Sequence, residues 1–207
     1  MLFRSETYVD EFEKADDVAD VYWRVCELQE SKEDWKATAG CFDAFRKKYR
    51  GASDAKVFES RYRYALALEE LGREREAMKE YRWLVKAYPK LDAQAQDTDG
   101  ARLAGAHAAF ELLEPEYDRF KDMKITLRKK TLLGKLKKAE ELACVGEKCK
   151  TQGKFLSILE YGNGDYGICA LTRMGQIYRN VADSIRDAPI PRKLTLDQQE
   201  IYRAELD

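Results

Sequence analysis

Residues 61–90, RYRYALALEELGREREAMKEYRWLVKAYPK, constrain the fold more than any other part of the chain. Ala65 and Ala77 are small enough to let two helices approach closely, and Gly72 lies between them at a turn. Tyr81 supplies a large apolar plug. Pro89 stops the second helix, because it donates no amide hydrogen and crowds the preceding turn. The stretch therefore reads as one helix–turn–helix unit. The surrounding chain agrees. Its four prolines stand at 89, 115, 189 and 191, so helices before residue 89 run without interruption. No strand-like alternation persists, and the expected class is all-α, with about eight or nine helices.

Shifting this unit back by 39 residues tests whether it repeats. Ala65 falls on Cys26, Tyr81 on Phe42, Leu84 on Phe45 and Tyr88 on Tyr49. Ala77 falls on Thr38 and Pro89 on Arg50, so the match is partial. The spacing predicts helices over 16–30 and 33–49 for the first unit, and over 54–71 and 73–88 for the second. Gly51 suits a helix C′ position, and Ser53 or Asp54 suits the next N-cap.

Beyond a polar connection at 90–99, Asp97 or Asp99 is placed to cap a helix rich in small residues, which Pro115 should bend or restart. A long helix follows over 127–147, with Leu132, Leu136, Ala139 and Ala143 as its apolar stripe. A short helix is expected over 152–161, a turn at GNGD (162–165), and a helix over 166–187 ended by Pro189 and Pro191. Thr195 and Gln198 form a capping box for a last helix.

The order of small, glycine and aromatic positions in 61–90 resembles the tetratricopeptide repeat (TPR), a unit of about 34 residues that stacks into solenoids. Leu171, Met174, Gly175 and Tyr178 reproduce the first-helix pattern of that repeat. The resemblance implies a right-handed helical-hairpin solenoid, with repeats over 1–92 and irregular repeats continuing over 93–207. Residues 105–207 are similar to long TPR proteins of predatory and gliding bacteria of the myxobacterial type. Tyr166, Ala170, Leu171, Arg173, Gly175, Tyr178, Ala188, Pro189, Pro191 and Tyr202 stand at their recurring positions. That second resemblance implies a periplasmic or envelope-associated scaffold without catalysis, since members of that group resemble components of cell-envelope machinery, including gliding-motility complexes. Its rivals are a lipoprotein-like factor of outer-membrane or cell-wall assembly, and the TPR portion of a larger enzyme or regulator. No signal peptide is visible at the start, so a complete chain would be cytoplasmic.

In TPR solenoids the first helix of each repeat lines the concave groove. The resemblance thus implies partner-binding positions at Trp23, Glu27, Glu30, Tyr62, Leu66 and Glu69, and at Thr172, Gln176 and Arg179 in the last repeat. Trp23 and Tyr62 are either anchors for a partner or core between repeats.

Charge adds a second candidate surface. The net charge is −1, which disfavours nucleic acid as the general partner. Residues 1–34 carry eleven acids and four bases, whereas 121–138 carry eight bases against Asp122. That basic run, with Lys130 and Lys137, is either a solvated helix face or a strip for an acidic partner or an anionic lipid surface. It lacks the interleaved aromatics that RNA binding would use.

No motif marks a cofactor, a metal or a catalytic residue. GxxxxGK[ST], GxSxG and HExxH are all missing from the sequence. His107, the one histidine, sits among small packing residues and reads as structural. Five cysteines cannot all pair within one chain. Cys26, Cys41 and Cys169 fall in helical patterns and read as buried thiols. Cys144 and Cys149 bracket a helix end and are either a local disulfide or two ordinary thiols. No segment approaches the length and apolarity of a membrane span.

Overall fold

The structure is a computed structural model that describes residues 17–49, 53–191 and 193–204. It is all-α, with no strand among the described residues. The helices are α1 (Val18–Glu30), α2 (Trp35–Lys48), α3 (Asp54–Glu70), α4 (Glu74–Ala87), the short α5 (Ala93–Gln96), α6 (Asp99–Lys121), α7 (Lys129–Ala143), α8 (Gly164–Arg186) and α9 (Leu196–Ala204). Two 3₁₀ segments, Tyr88–Lys90 and Leu156–Tyr161, complete the set. The chain divides into two compact units, Met1–Glu111 and Leu112–Asp207, and the division falls within α6.

In the first unit, α1–α2 and α3–α4 are helical hairpins, and α2 packs on α3. The 39-residue shift survives as geometry. Cys26, Thr38, Phe42 and Phe45 are fully buried, and so are their counterparts Ala65, Ala77, Tyr81 and Leu84. The turns correspond too. Gly72 has φ 69°, and the Arg73 amide donates to the Leu68 carbonyl at 2.8 Å. Glu33, 39 residues earlier, has φ 58°, and the Asp34 amide donates to the Gln29 carbonyl at 3.2 Å. Both are left-handed helix ends in which an amide reaches back five residues to an orphan carbonyl. Glycine reaches that conformation freely, whereas Glu33 carries a Cβ there at some cost, so the first turn left no glycine signal in the sequence. The Gly51 expectation lies outside the described residues.

The first hairpin differs from expectation at its cysteines. Cys26 and Cys41 are not separate thiols but a disulfide between α1 and α2, with Cα atoms 5.4 Å apart. One helical residue on each partner helix points at the other, so the two side chains that spacing assigned to the core meet there. Trp23 stands edge-on to Phe42 and Phe45 at 5.3 and 5.1 Å, next to the Cys26 side of the bridge. Ser53 caps α3 by accepting from the Lys56 amide. Neither Asp97 nor Asp99 caps α6; Thr98 accepts from the Ala101 amide at 3.3 Å, while Asp97 pairs with Arg102.

In the second unit, α6 continues unbroken through Pro115, so the proline does not restart the helix. α7 packs on α8, and α8 on the second 3₁₀ segment. The chain leaving α7 turns through the Cys144–Cys149 disulfide and returns along the end of the helix. The amides of Gly153, Lys154 and Phe155 donate to the carbonyls of Cys144, Glu141 and Leu142 at 2.8, 3.1 and 3.0 Å. The Tyr178 hydroxyl donates to the Ala143 carbonyl at 2.8 Å. Carbonyls that a helix end would leave to water are thus bound by protein. A Cβ at Gly153 would lie 2.5 Å from the Cys144 nitrogen, so only glycine permits this approach.

Two further expectations need correction. The stripe on α7 includes Lys135, which is 1% exposed, whereas Leu136 is an exposed residue. The Leu171–Tyr178 pattern on α8 is not a packed repeat signature throughout. Met174 is buried, but Leu171 and Tyr178 are 51% and 52% exposed. Arg173 instead clamps Glu114, at 2.7 and 2.5 Å, across the Tyr117 ring. The final capping box forms: the Thr195 amide donates to Gln198 Oε1 at 3.0 Å, and the Gln198 amide to Thr195 Oγ1 at 3.4 Å.

Candidate functional site

The first unit gathers most of the groove candidates along one stripe of α3. Residues Glu59, Tyr62, Arg63, Leu66, Glu69 and Glu70 recur at three- and four-residue spacing and so share a face. α1 borders the stripe on one side through Glu27 and Glu30, and α6 borders it on the other through His107 and Glu111.

Arg63 is the node on the α1 side. Its guanidinium bonds Glu59 at 2.9 Å, pairs with Glu30 and lies 3.7 Å from Glu27. Burial opposes its charge, but the Glu59 bond and the Glu30 charge outweigh that, and its pKa rises above the ordinary arginine value. The α6 side is held by a buried polar cluster. The Tyr62 hydroxyl and His107 Nδ1 are 2.9 Å apart, and His107 Nε2 lies 3.5 Å from Glu111. Tyr81 reaches up from α4 and donates to Glu69 at 2.7 Å. Burial raises the Glu69 pKa; the Tyr81 bond works against the rise and the Glu111 charge adds to it. Burial, then the bond to Glu69, pushes the Tyr81 phenol above the ordinary tyrosine value.

Two of the named candidates change role. Trp23 and Tyr62 are 8% and 7% exposed, so neither offers a face to a partner. Trp23 is spent on Phe42 and Phe45, and Tyr62 on His107. Both positions face neighbouring helices. The charge on the stripe and its borders is mostly carboxylate: Glu70 is exposed, Glu27, Glu30, Glu59, Glu69 and Glu111 are half-buried, and together they outnumber Arg63. Sequence reasoning missed Glu59, Arg63, Glu70 and Glu111. The i, i+4 spacing of Glu59 to Arg63 was a readable signal, but their partners on α1 and α6 were not.

The second unit holds the other candidates. Lys130 and Lys137 are exposed on α7, and Arg179 is exposed on α8 with Thr172. Gln176 is drawn into the clamp and accepts from Arg173 at 2.6 Å and from Tyr117 at 3.2 Å. A cleft of about 660 Å³ is lined by Lys121, Lys124, Thr126, Ser184 and Asp187, among others. Beside it the buried Lys135 ammonium donates to the Met123 carbonyl and to Ser184 Oγ, each at 2.6 Å, and faces the Phe120 ring. Burial lowers its pKa. Cys169 is the free thiol and is exposed, contrary to its expected burial. No described helix is long and apolar enough to cross a membrane.

No family model matches the chain, and no curated protein or solved structure matches it.

Proposed function

We propose that this chain is a TPR-like helical-repeat scaffold that binds protein partners along the α1–α3–α6 face, as part of a bacterial cell-envelope assembly. The observation that carries the reading is the equivalence of the two hairpins across 39 residues, in buried positions and in turn conformation alike. Stacked equivalent hairpins bring their first helices side by side, and the Arg63 and His107 bonds link α1, α3 and α6 in that order. The stripe's excess of carboxylates selects a basic partner segment. Because Arg63 and Tyr81 already hold Glu59 and Glu69 in place, docking costs those side chains little entropy. The two disulfides suit an oxidising compartment, which favours the envelope over the cytoplasm.

The test is capture from the native envelope fraction by immobilised protein. The variant E27Q/E69Q/E111Q removes charge at both borders of the stripe while leaving the buried aromatics intact. Partner recovery should fall about tenfold or more, because close charge pairs at interfaces carry several kcal/mol of coupling. Unchanged recovery by a variant with native circular dichroism would sink the stripe as the docking face.

A further inference from the structure

The basic run at 121–138 sorts cleanly once its partners are known. Lys121 pairs with Asp118, Lys138 pairs with Glu116 and Glu141, and Lys135 is buried. That leaves Lys124, Arg128, Lys129, Lys130 and Lys137 exposed, with no carboxylate paired to them among the described residues.

On α7 these cations share a face with apolar side chains. At roughly 100° per residue, Lys129, Lys130, Leu133, Leu136, Lys137 and Glu140 fall on one side of the helix. Lys135, Ala139 and Leu142 fall on the other side and are buried. Leu133 and Leu136 are 52% and 39% exposed, and Leu127, just before the helix, is 54% exposed. A purely solvated lysine face would have no use for leucines at its centre. An acidic peptide would neutralise the lysines. An anionic bilayer does that and also takes up the leucines: headgroup phosphates meet the cations while the apolar side chains enter the acyl boundary.

We propose that the outer face of α7, centred on Leu133 and ringed by Lys129, Lys130 and Lys137, docks onto an anionic phospholipid surface without crossing it. The site lies wholly in the second unit and stands independently of the proposed partner face in the first.

Co-sedimentation of the full chain with vesicles tests it. Partition onto phosphatidylcholine vesicles containing phosphatidylglycerol should exceed that onto phosphatidylcholine alone by at least about tenfold, and should fall as salt shortens the screening length. At about fivefold per cation, K129Q/K130Q/K137Q should lose roughly a hundredfold in partition. L133S/L136S, which keeps every charge, should lose about tenfold. These side chains are exposed, so native circular dichroism is expected of both variants, and the wild-type comparison of the two vesicle types decides the matter even without them. Equal sedimentation with charged and neutral vesicles would overturn the proposal. So would full binding by L133S/L136S, which would make the strip a plain polyanion site suited to an acidic protein.

Discussion

The two units solve the same problem, holding helices together with a modest apolar core, by different means. The first repeats a hairpin and fills it with aromatics. Its disulfide sits in the core, between α1 and α2, next to Trp23. The second uses longer helices and polar fasteners: a buried lysine, the Arg173–Glu114 clamp, and Glu116 held between Lys138 and Lys154. Its disulfide closes a short loop at a helix end. A repeated hairpin can draw its core from periodic burial and keep its polar bonds, such as Arg63–Glu30 and Tyr62–His107, for links to neighbouring helices, whereas an irregular one must satisfy each stray polar group individually.

The two units can be followed separately, because Trp23, Trp35 and Trp83 all lie in the first. Tryptophan fluorescence therefore follows that unit, while far-UV circular dichroism follows both. The largest effect expected is from Phe42→Ala, which empties a fully buried site against Trp23. It should cost about 3–5 kcal/mol, read as a shift of the fluorescence midpoint in urea. A loss below about 1 kcal/mol would mean the aromatic cluster is not the support of this unit.

Next come the cross-links. C26A/C41A opens a span of 15 residues and should cost about 3 kcal/mol, again seen in fluorescence. C144A/C149A opens a span of 5 residues and should cost about 2 kcal/mol. That second loss belongs in the circular dichroism and not in the fluorescence. Equal shifts in both signals would show one cooperative transition and dissolve the distinction between the units.

The smallest effect sharpens the electrostatics of the stripe. Glu69 has a raised pKa in the fold, so its contribution is full below the ordinary carboxyl value of 4.5 and declines as pH rises through the folded value. Glutamine cannot ionise but still accepts from Tyr81. E69Q should therefore equal the wild type near pH 4 and exceed it at pH 7, by less than about 1 kcal/mol given the partial exposure. Urea melts at the two pH values would show it. A wild type that gains on the variant as pH rises would reverse the assigned sign.

The hairpins were legible because burial recurs with the helical period and because Gly72 and Pro89 punctuate the second one. The first turn was harder to read, since Glu33 does in a left-handed conformation what glycine usually does. The Cys26–Cys41 bridge was hidden for a related reason. Each cysteine fits its helix as a small apolar residue, and only the three-dimensional pairing of α1 with α2 brings the sulfurs together. Of the proposed partner face, repeat register singles out Glu27 and Glu69, but it could not assign Trp23 and Tyr62 between surface and core. Their burial depends on Phe45 and His107, contacts far along the chain that no local period encodes. Lys135 is the clearest case: a lysine on a charged helix looks solvated until Met123 and Ser184 are seen around its ammonium.

The return of the chain at Gly153 has a consequence for exchange with solvent. Residues 153–155 follow a largely exposed loop, yet their amides are bound to the last turn of α7. They should exchange hydrogen for deuterium at the pace of that helix, while the loop residues just before them exchange at once. Cutting the Cys144–Cys149 link would free the returning segment to lift away, and the protection of Gly153, Lys154 and Phe155 would vanish together with that of the α7 terminus. Those three amides thus form a chemical clock for the redox state of the bridge, read directly from their exchange.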